Sequence, residues 1–582
     1  MFKPQSVSSA AAARDQPSPN IDDATAELSD RHTVLWTARD STSDENESVV
    51  TPALVRIAVV AGLGGLMFGF DTGIVLATVS APRLPDAPDR TVFAGVVSGA
   101  LLVIGSDLSG DDNPGRPLSA MQESWLVSSA LVGAFAGSLV AAKGADRFGR
   151  RPVILAAAVL FVLGALEQAA AQVYKEVILG RILVGIGVGL SSSVLPIYLA
   201  ELSPAKFRGR IVASLVVLIT GGQVLAYVVD ACFFSTSHGW RYMFGAGAVP
   251  AVVQLLMAIS SLPESPRFHL SRGWTGPARE TLKMIHPTLS SDAIQAKIDR
   301  IQAETAAAEH EGLLGLGHVG SLKDVKEGLM SKIWRDRASR RAVILACGLQ
   351  FFQQATGFNG LMYYSARVLQ LAHFTNPAAF AMVVAVSNFV CTIIALKLID
   401  KLGRRPLLLR TLAGMLTGMI ILAISFFFIP APPKDGKALP GGPSAAAFVA
   451  LLGMVIFCSS YALGLGNVPW VLQSEVFTQE LRATGTSLAT ATNWTANLIV
   501  AATYLHLTRL LSVGGTFLLF TFVIAAAIVF TFKLLPETKG LGLDETRALF
   551  EQIVGQSQIS EGAESAARYV SIASEDEDSG NV

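Results

Sequence analysis

Long apolar stretches separated by polar loops fill the chain between residues 53 and 535. Because a helix needs about 20 mostly apolar residues to cross a bilayer, each stretch predicts one transmembrane span. The predicted spans are 53–76, 124–142, 152–172, 176–199, 211–231, 243–262, 342–371, 378–399, 407–429, 446–472, 485–509 and 514–535. The pattern therefore predicts an all-α integral membrane protein with twelve transmembrane helices.

A hydrophilic connection over residues 263–341 divides these spans into two six-helix bundles, at 53–262 and 342–536. Its charged stretch Ser290–Glu311 predicts short helices on one side of the membrane. The polar, Ser-rich ends of the chain, 1–52 and 537–582, predict disordered tails.

Charge and composition exclude several classes of protein. Only 15% of the residues are charged and 51% are hydrophobic, whereas soluble proteins carry about 25% charged residues. Lys+Arg and Asp+Glu both number 45, so the basic face that nucleic acid requires is not expected. The four cysteines have no metal-binding spacing. We expect no metal and no nucleic-acid partner; the lipid bilayer is the surrounding partner.

Lys and Arg are concentrated in alternate short loops, at 143–151, 206–210 and 401–405. Such loops face the cytoplasm. With an even number of spans, both termini and the 263–341 connection are then cytoplasmic.

The two halves carry matching sequence motifs. Asp146–Pro152 recurs as Asp400–Pro406, the pair Glu201 and Arg208 recurs as Glu475 and Arg482, and Leu262–Ser265 recurs as Leu535–Thr538. The three matches keep their order along the chain. Parallel six-span repeats are typical of alternating-access carriers.

These repeated charges lie where spans end on the cytoplasmic side. Ordinary positive-inside topology accounts for the arginines but not for the acids at fixed spacing. The alternative is a cytoplasmic gate of ion pairs that closes the inner face when the carrier opens outward. Its predicted members are Asp146, Arg147, Arg150, Arg151, Glu201, Arg208, Glu264, Arg267, Asp400, Arg404, Arg405, Glu475, Arg482 and Glu537.

Several motifs resemble the sugar porter family of the major facilitator superfamily over residues 53–545. They are Gly-Phe-Asp71-Thr-Gly, Asp146–Arg151, Gly180-Arg181, Pro263–Arg267, Gln353-Gln354 with Asn359 and Tyr363-Tyr364, and Pro536–Gly540. Within that family the chain is most similar to proton-coupled myo-inositol transporters, especially fungal ones. That similarity is carried by Thr220–Gln223, Gly239–Met243, Gly464–Trp470 and Ala489–Trp494.

The resemblance implies the major facilitator fold and proton symport of myo-inositol or a close polyol. Protons are then the coupling ion, with no cofactor, and we expect a monomer in the plasma membrane. Hexose facilitators usually carry Gln and Glu at the positions of Val216 and Ala462. Their absence here makes glucose a less expected substrate. A proton-coupled hexose transporter and a transporter-like nutrient sensor remain as alternatives. An enzyme is not expected, since no nucleophile–base or metal set is visible.

Asp71 and Arg181 each lie inside an apolar run of the first half. A lone ionised carboxylate there costs several kcal/mol, so it is expected to pair or to protonate. One interpretation is a static ion pair. The other is a proton-coupling pair whose acid takes up a proton when the arginine moves away, and proton-coupled members of the resembling family carry Asp at this position.

Gln350, Gln353 and Gln354 lie at i, i+3 and i+4, on one face of the seventh span. Thr356–Gly360 interrupts that span, which leaves backbone groups free to line a cavity. Amides both donate and accept hydrogen bonds, as polyol hydroxyls require. Interhelical hydrogen bonds are the alternative role for each amide. The predicted substrate-binding residues are Gln223, Gln350, Gln353, Gln354, Asn359, Tyr364, Asn388, Trp470, Asn493 and Trp494.

An unusual insert separates Asp71-Thr-Gly from Val97–Leu101, which are nearly adjacent in the resembling family. The insert, near residues 75–96, contains several prolines and charges, which a spanning helix does not tolerate. We therefore expect it to loop out and to end the first span beside Asp71. It is either a retained intron read in frame or a genuine extracellular insertion, and sequencing the mature transcript would distinguish the two.

Overall fold

A computed structural model describes residues 51–78, 120–204, 207–233, 236, 238–314, 334, 336–374, 377–430, 443–477, 479–539, 546, 549–550 and 552–553. These residues are almost entirely helical.

Seven helices of the first half lie within the described residues. They are α1 (Pro52–Thr78), α2 (Ala120–Phe148), α3 (Arg150–Ala170), α4 (Tyr174–Leu202), α5 (Arg208–Phe233), α6 (Gly239–Ala246) and α7 (Ala248–Ser261). Helices α6 and α7 meet at Gly247 and together form the sixth predicted span. Helix α4 packs against α2 and α3, while α5 packs against α1.

In the described part of the connection between the halves lie three helices: α8 (Pro266–Ser271), α9 (Thr275–Ile285) and α10 (Ser291–Leu314). They share a small apolar core that includes Leu270, Leu282 and Ile298. The Thr51 hydroxyl, one residue before α1, donates to the Ile285 carbonyl at 2.9 Å. The predicted short helices of the connection are therefore present, and they attach to the start of the first span.

The second half repeats the arrangement with more breaks. Its helices are α11 (Arg337–Ala355), α12 (Phe358–Tyr363), α13 (Ser365–Leu371), α14 (Pro377–Leu402), α15 (Arg404–Phe428), α16 (Ala445–Leu463), α17 (Val468–Glu475), α18 (Gln479–Leu510) and α19 (Ser512–Leu534). Helices α11 to α13 make up the seventh span. The tenth span is α16 followed by α17.

The predicted interruption of the seventh span is confirmed at Thr356 and Gly357. Gly357 has φ +84°, a left-handed conformation that side-chain-bearing residues rarely adopt. A Cβ at this position would also lie 2.7 Å from the Phe520 ring. The sequence thus ends α11 at a glycine and starts α12 at a new angle.

Ten helical segments of the described chain are long and apolar enough to cross a bilayer. The two predicted spans that fall short of this are the seventh, which begins with α11, and the eleventh, which is α18. Both carry several Gln or Asn residues in their interior. The least apolar spans therefore hold five of the seven predicted binding amides, and Gln223 and Asn388 lie on other spans.

The expectation that the first span ends beside Asp71 is wrong. Helix α1 continues through Asp71 to Thr78 and is 27 residues long, which is about 40 Å at 1.5 Å per residue. Residues 74–78 read Ile-Val-Leu-Ala-Thr, with no proline or charge, so nothing in them stops a helix. The rest of the insert lies outside the described residues.

Small residues allow close helix packing in the first half. A Cβ at Gly185 of α4 would lie 2.1 Å from the Ala130 carbonyl oxygen of α2. At Gly189 it would lie 2.2 Å from the Ala134 carbonyl oxygen. The two backbones therefore touch, which holds Arg181 of α4 close to α2.

The two halves meet along α5 with α14 and along α2 with α18. One end of the molecule carries Arg150, Glu201, Arg404 and Glu475, and is called the basic end below. Toward the opposite end, α12 and α13 contact α1. The halves therefore approach each other at the opposite end.

Candidate functional site

A cavity of about 130 Å³ lies between the two halves. Helices α1, α4 and α5 line it from the first half, and α11, α12, α14, α16, α17 and α18 line it from the second. Its wall includes Leu195 of α4 and Val212 of α5, both within two turns of the helix ends at the basic end. The cavity thus extends from the middle of the molecule toward the basic end.

Side-chain amides from three helices form one hydrogen-bonded cluster in the second half. Asn493 of α18 is its centre, and its Nδ2 donates to Gln350 Oε1 at 2.7 Å and to Gln353 Oε1 at 2.6 Å. Gln354 Nε2 donates to Asn493 Oδ1 at 3.2 Å, and Asn359 Nδ2 of α12 donates to Gln354 Oε1 at 2.6 Å. The cluster members on α11 and α12 were all predicted site residues: Gln350, Gln353, Gln354 and Asn359.

The amides at the cavity keep hydrogen-bonding capacity for a ligand. A carboxamide has two N–H donors and an oxygen with two lone pairs. Gln354 uses one donor and one lone pair within the cluster, and it lines the cavity with Gln353, Asn359 and Asn493. Each remaining donor and acceptor can meet a hydroxyl group, which itself donates and accepts.

One polar contact crosses between the halves inside the cavity wall. Asn388 Nδ2 of α14 donates to Gln223 Oε1 of α5 at 3.3 Å. Both side chains are at most 5% exposed and both line the cavity. The structure therefore brings Gln223 to the predicted site from the first half.

Gln350 lies behind the cavity rather than on its wall. It is fully buried, and its Nε2 donates to Gln473 Oε1 of α17 at 3.0 Å. Since Gln350 also binds Asn493, it supports that residue. The predicted role of Gln350 as a direct ligand is thus replaced by a supporting one.

Aromatic rings form part of the cavity wall. Phe68 of α1 contacts Trp494 of α18 with ring centroids 5.5 Å apart. Trp494 and Trp470 both line the cavity, as predicted. The Trp494 side chain is buried, and its indole N–H has no hydrogen-bond partner among the described residues.

Tyr364, a predicted ligand, is not on the cavity wall. Its ring stacks on Tyr504 at 4.9 Å. The preceding residue, Tyr363, lines the cavity instead and its hydroxyl lies 3.5 Å from Asn497 Oδ1. Of the two adjacent tyrosines in the Tyr363-Tyr364 motif, the structure thus places Tyr363 on the cavity wall.

Asp71 and Arg181 form a buried ion pair between α1 and α4. Arg181 Nε also donates to the Leu126 carbonyl at 3.3 Å. The pair lines a second, small cavity of about 20 Å³. Both this cavity and the central one are lined by Phe68, Tyr363 and Trp494. Three aromatic side chains therefore separate the ion pair from the amide cluster.

At the basic end of the first half, Arg150 joins three helices. Its guanidinium Nη2 lies 3.1 Å from Glu201 Oε1, and the Glu264 carboxylate accepts from the backbone N–H groups of Arg150 and Arg151 at 2.9 and 3.0 Å. The more exposed Asp146 lies 3.8 Å from Arg150. Nearby, burial lowers the pKa of the His269 imidazole, and the Glu264 carboxylate opposes that shift.

The second half repeats this arrangement. Arg404 binds Glu475 through two nitrogens, at 3.2 and 2.6 Å. The Glu537 carboxylate accepts from the backbone N–H groups of Arg404 and Arg405 at 3.0 and 3.1 Å. The Arg–Glu pair and the carboxylate bound to two backbone N–H groups thus recur in both halves.

Each of the four ion pairs found in the described part of the chain joins helices of one half. Arg147 lies against the Phe148 ring at 5.4 Å, and Arg267 has a partner of its own. The side chains of Arg208, Asp400 and Arg482 lie outside the described residues. The gating role stays a prediction.

Phe68, Tyr363 and Gln473 were not among the predicted binding residues, whereas Asn497 is one of the asparagines, with Asn388 and Asn493, that the sequence places in the spans of the second half. Gln473 is a lone amide on α17, and only the position of α11 shows that it binds Gln350. Phe68 lies within an apolar run, and nothing in the sequence distinguishes it from lipid-facing residues.

Two six-helix halves with a shared central cavity, a buried acid–base pair and repeated basic-end motifs define a membrane transporter of the major facilitator fold. The sequence matches the family described as "Sugar (and other) transporter" over residues 57–550. The chain therefore belongs to the sugar transporter family, and it is a transporter rather than an enzyme.

Individual relatives agree with this assignment. The chain is 36% identical over 496 residues to Myo-inositol transporter 2 of Schizosaccharomyces pombe, covering 85% of this chain and 81% of that protein. It is 32% identical over 579 residues to the human Proton myo-inositol cotransporter, covering 86% and 82%. The solved structure of the proton:xylose symporter XylE bound to 6-bromo-6-deoxy-D-glucose matches with a TM-score of 0.66 and 28% identity, covering 86% of this chain and 100% of that one.

Proposed function

We propose that this protein carries myo-inositol, or a closely related polyol, across the membrane together with a proton. Alternating access of one central cavity moves the substrate. The observation that carries the proposal is the amide cluster around Asn493, which faces a cavity that lies beside the Asp71–Arg181 pair.

The chemistry of the cavity suits a ring of hydroxyl groups. Gln354, Asn359 and Asn388 offer both donors and acceptors, and no ionised side chain lines the central cavity among the described residues. A neutral ligand is therefore favoured over an anion or a cation. The Trp494 indole N–H adds one donor, and its ring offers an apolar wall to C–H groups of the substrate.

Relatives that are named for myo-inositol support this substrate over a hexose. The side chain of Val216 lines the cavity, at a position where the resembling hexose facilitators carry an amide. A proton-coupled pentose or hexose transporter is the second candidate, since the XylE structure is named for xylose.

The proton is proposed to act at Asp71. While Asp71 is ionised it holds Arg181. Protonation removes the charge of the acid, and the Coulombic attraction that fixes Arg181 is then lost. Because Phe68 and Trp494 lie between this pair and the cavity, movement of α1 relative to α4 is transmitted directly to the substrate site.

The basic end is proposed to face the cytoplasm, with both termini on that side, because Lys and Arg are concentrated there. We place the protein in the plasma membrane, as a monomer. Protease or epitope-tag accessibility in intact cells tests the orientation, and fluorescence microscopy with the plasma membrane as reference tests the location.

The decisive experiment measures uptake of radiolabelled myo-inositol in cells that lack their own inositol transport. We expect concentrative uptake that a protonophore abolishes. Unlabelled glucose and xylose should not inhibit it. Strong competition by glucose or xylose would favour the sugar alternative. Uptake that the protonophore does not reduce would refute proton coupling.

A further inference from the structure

Asp230 is a second acid within the first half that the proposed mechanism does not use. It lies in the last turn of α5, on the span Gly209–Asp230. Gln223, Tyr227 and Asp230 are spaced i, i+4 and i+7, so they share one helix face. Gln223 on this face contacts Asn388 of the second half, which shows that the face is turned toward the other half.

The Asp230 carboxyl group is completely enclosed. The residue is 0% exposed, and neither oxygen has a hydrogen-bond partner among the described residues. An ionised carboxylate without partners is costly to bury. The negative end of the α5 dipole also opposes an anion in the last turn. The neutral acid is therefore the form that fits this arrangement.

Charged residues on α6 and α1, two helices that pack against α5, have other partners. Arg241 of α6 donates to the Ala169 and Ala171 carbonyls at 2.9 and 2.6 Å, and Asp71 of α1 is paired with Arg181. The Tyr227 phenol is the titratable group that interacts with Asp230. On α13, Arg367 has a side chain outside the described residues, and the facing start of α14 carries no ionisable residue.

Asp230 lies beyond the cavity, toward the opposite end. The central cavity reaches Gln223 of α5 but not Tyr227 or Asp230. Tyr227 is buried beside Ser365 of α13, in the region where α12 and α13 approach the first half. Separation of the halves at this end would therefore open a path from outside to Asp230, whereas opening at the basic end would not.

We propose that Asp230 is a second proton-binding site, which binds a proton from the outside when the opposite end closes and returns it to the outside when that end opens. This rests on the proposed function. The proton at Asp230 is not carried across the membrane, so the site changes the rate of closure and not the coupling of substrate to proton.

The pH dependence of exchange follows from this. Ionised Asp230 opposes closure, so exchange slows as the outside becomes alkaline. For a single required proton, the rate falls about tenfold per pH unit above the midpoint of the titration. Asp230→Asn is permanently neutral, and the alkaline decline of its exchange rate should be shallower than that of the wild type by about this factor.

The test uses the full chain in proteoliposomes with equal pH on both sides, so that no driving force changes with pH. Exchange of radiolabelled myo-inositol is measured from about pH 5 to about pH 8.5, and accumulation is measured separately under an imposed proton gradient. Glu167→Gln, a carboxylate-to-amide change near the same end on α3, is the matched control.

The expected result is a flattened alkaline decline for Asp230→Asn, with wild-type accumulation and a wild-type profile for Glu167→Gln. An unchanged exchange profile in Asp230→Asn, or loss of accumulation in it, would overturn the inference. If Asp230→Asn does not reach the membrane, Asp230→Ser gives a second neutral side chain with the same expected profile. A wild-type protein that accumulates no myo-inositol under the gradient would refute the proposed function, and this inference with it.

Discussion

Replacing Gln354 by Ala separates the side chains that touch substrate from those that only support the site. Gln354 lines the cavity and links Asn359 to Asn493 through contacts of 2.6 and 3.2 Å. Truncation removes the free donor and acceptor that face the cavity. Gln350, one turn earlier on α11, belongs to the same cluster but lies behind the wall, bound to Gln473.

The magnitude follows from the lost hydrogen bonds. Leaving a buried substrate hydroxyl without its partner costs about 1–3 kcal/mol, which corresponds to roughly 5- to 150-fold in affinity. In Gln354→Ala the freed groups of Asn359 and Asn493 face the cavity, where water can bind them, so the abundance of the protein should change little. In Gln350→Ala the unpaired groups are enclosed, so stability falls instead.

The assay is the concentration dependence of myo-inositol uptake, with surface abundance measured in the same cells. We expect a raised half-saturation concentration for Gln354→Ala at near-normal abundance. Gln350→Ala should show reduced abundance and a half-saturation close to the wild type. A normal half-saturation concentration in Gln354→Ala would place the substrate elsewhere. An equal rise in both variants would show that Gln354 and Gln350 do not differ in their contact with substrate.

Three further outcomes test other parts of the molecule. Asp71→Asn should abolish proton-driven accumulation while leaving substrate exchange, and accumulation that persists would remove Asp71 from the mechanism. Gln223→Ala should alter the preference for myo-inositol over hexoses in competition assays, whereas unaltered selectivity would count against the inositol assignment. Arg404→Gln should lower the melting temperature of the purified protein, since it breaks a partly buried two-nitrogen pair with Glu475 worth about 1–3 kcal/mol. Asp146→Asn removes an exposed carboxylate 3.8 Å from Arg150 and should change the free energy of unfolding by less than about 0.5 kcal/mol. Equal effects of the two variants would contradict this reasoning.

Much of the fold follows from the hydrophobic pattern. Apolar length predicts the spans, and Gly357 predicts the break in the seventh one, because these features act within a single helix. The spacing of Gln353 and Gln354 also correctly places both amides on the cavity side of α11. Local sequence is sufficient where the determining contacts lie within one helix.

Contacts between helices were harder to predict. Gln350 shares the face of Gln354 but lies behind Asn493, and only the position of α18 decides that. Asp230 resembles an ordinary acid at the end of a span, since the sequence does not show that it is fully buried. The paired charges at the basic end were recognised by their repetition, yet which helices they join depends on how each half packs.

The placement of the amides has a consequence for how the chain is made. Helices α11 and α18 are the least apolar of the spans and carry the polar residues of the cluster. Alone in lipid, each would expose amides that find no partner. Asn493 of α18 satisfies Gln350 and Gln353 of α11, although about 140 residues separate them. During synthesis, the seventh span must therefore remain beside the insertion machinery or other helices until the eleventh emerges. Correct assembly of this half then depends on the pairing of α11 with α18 late in synthesis.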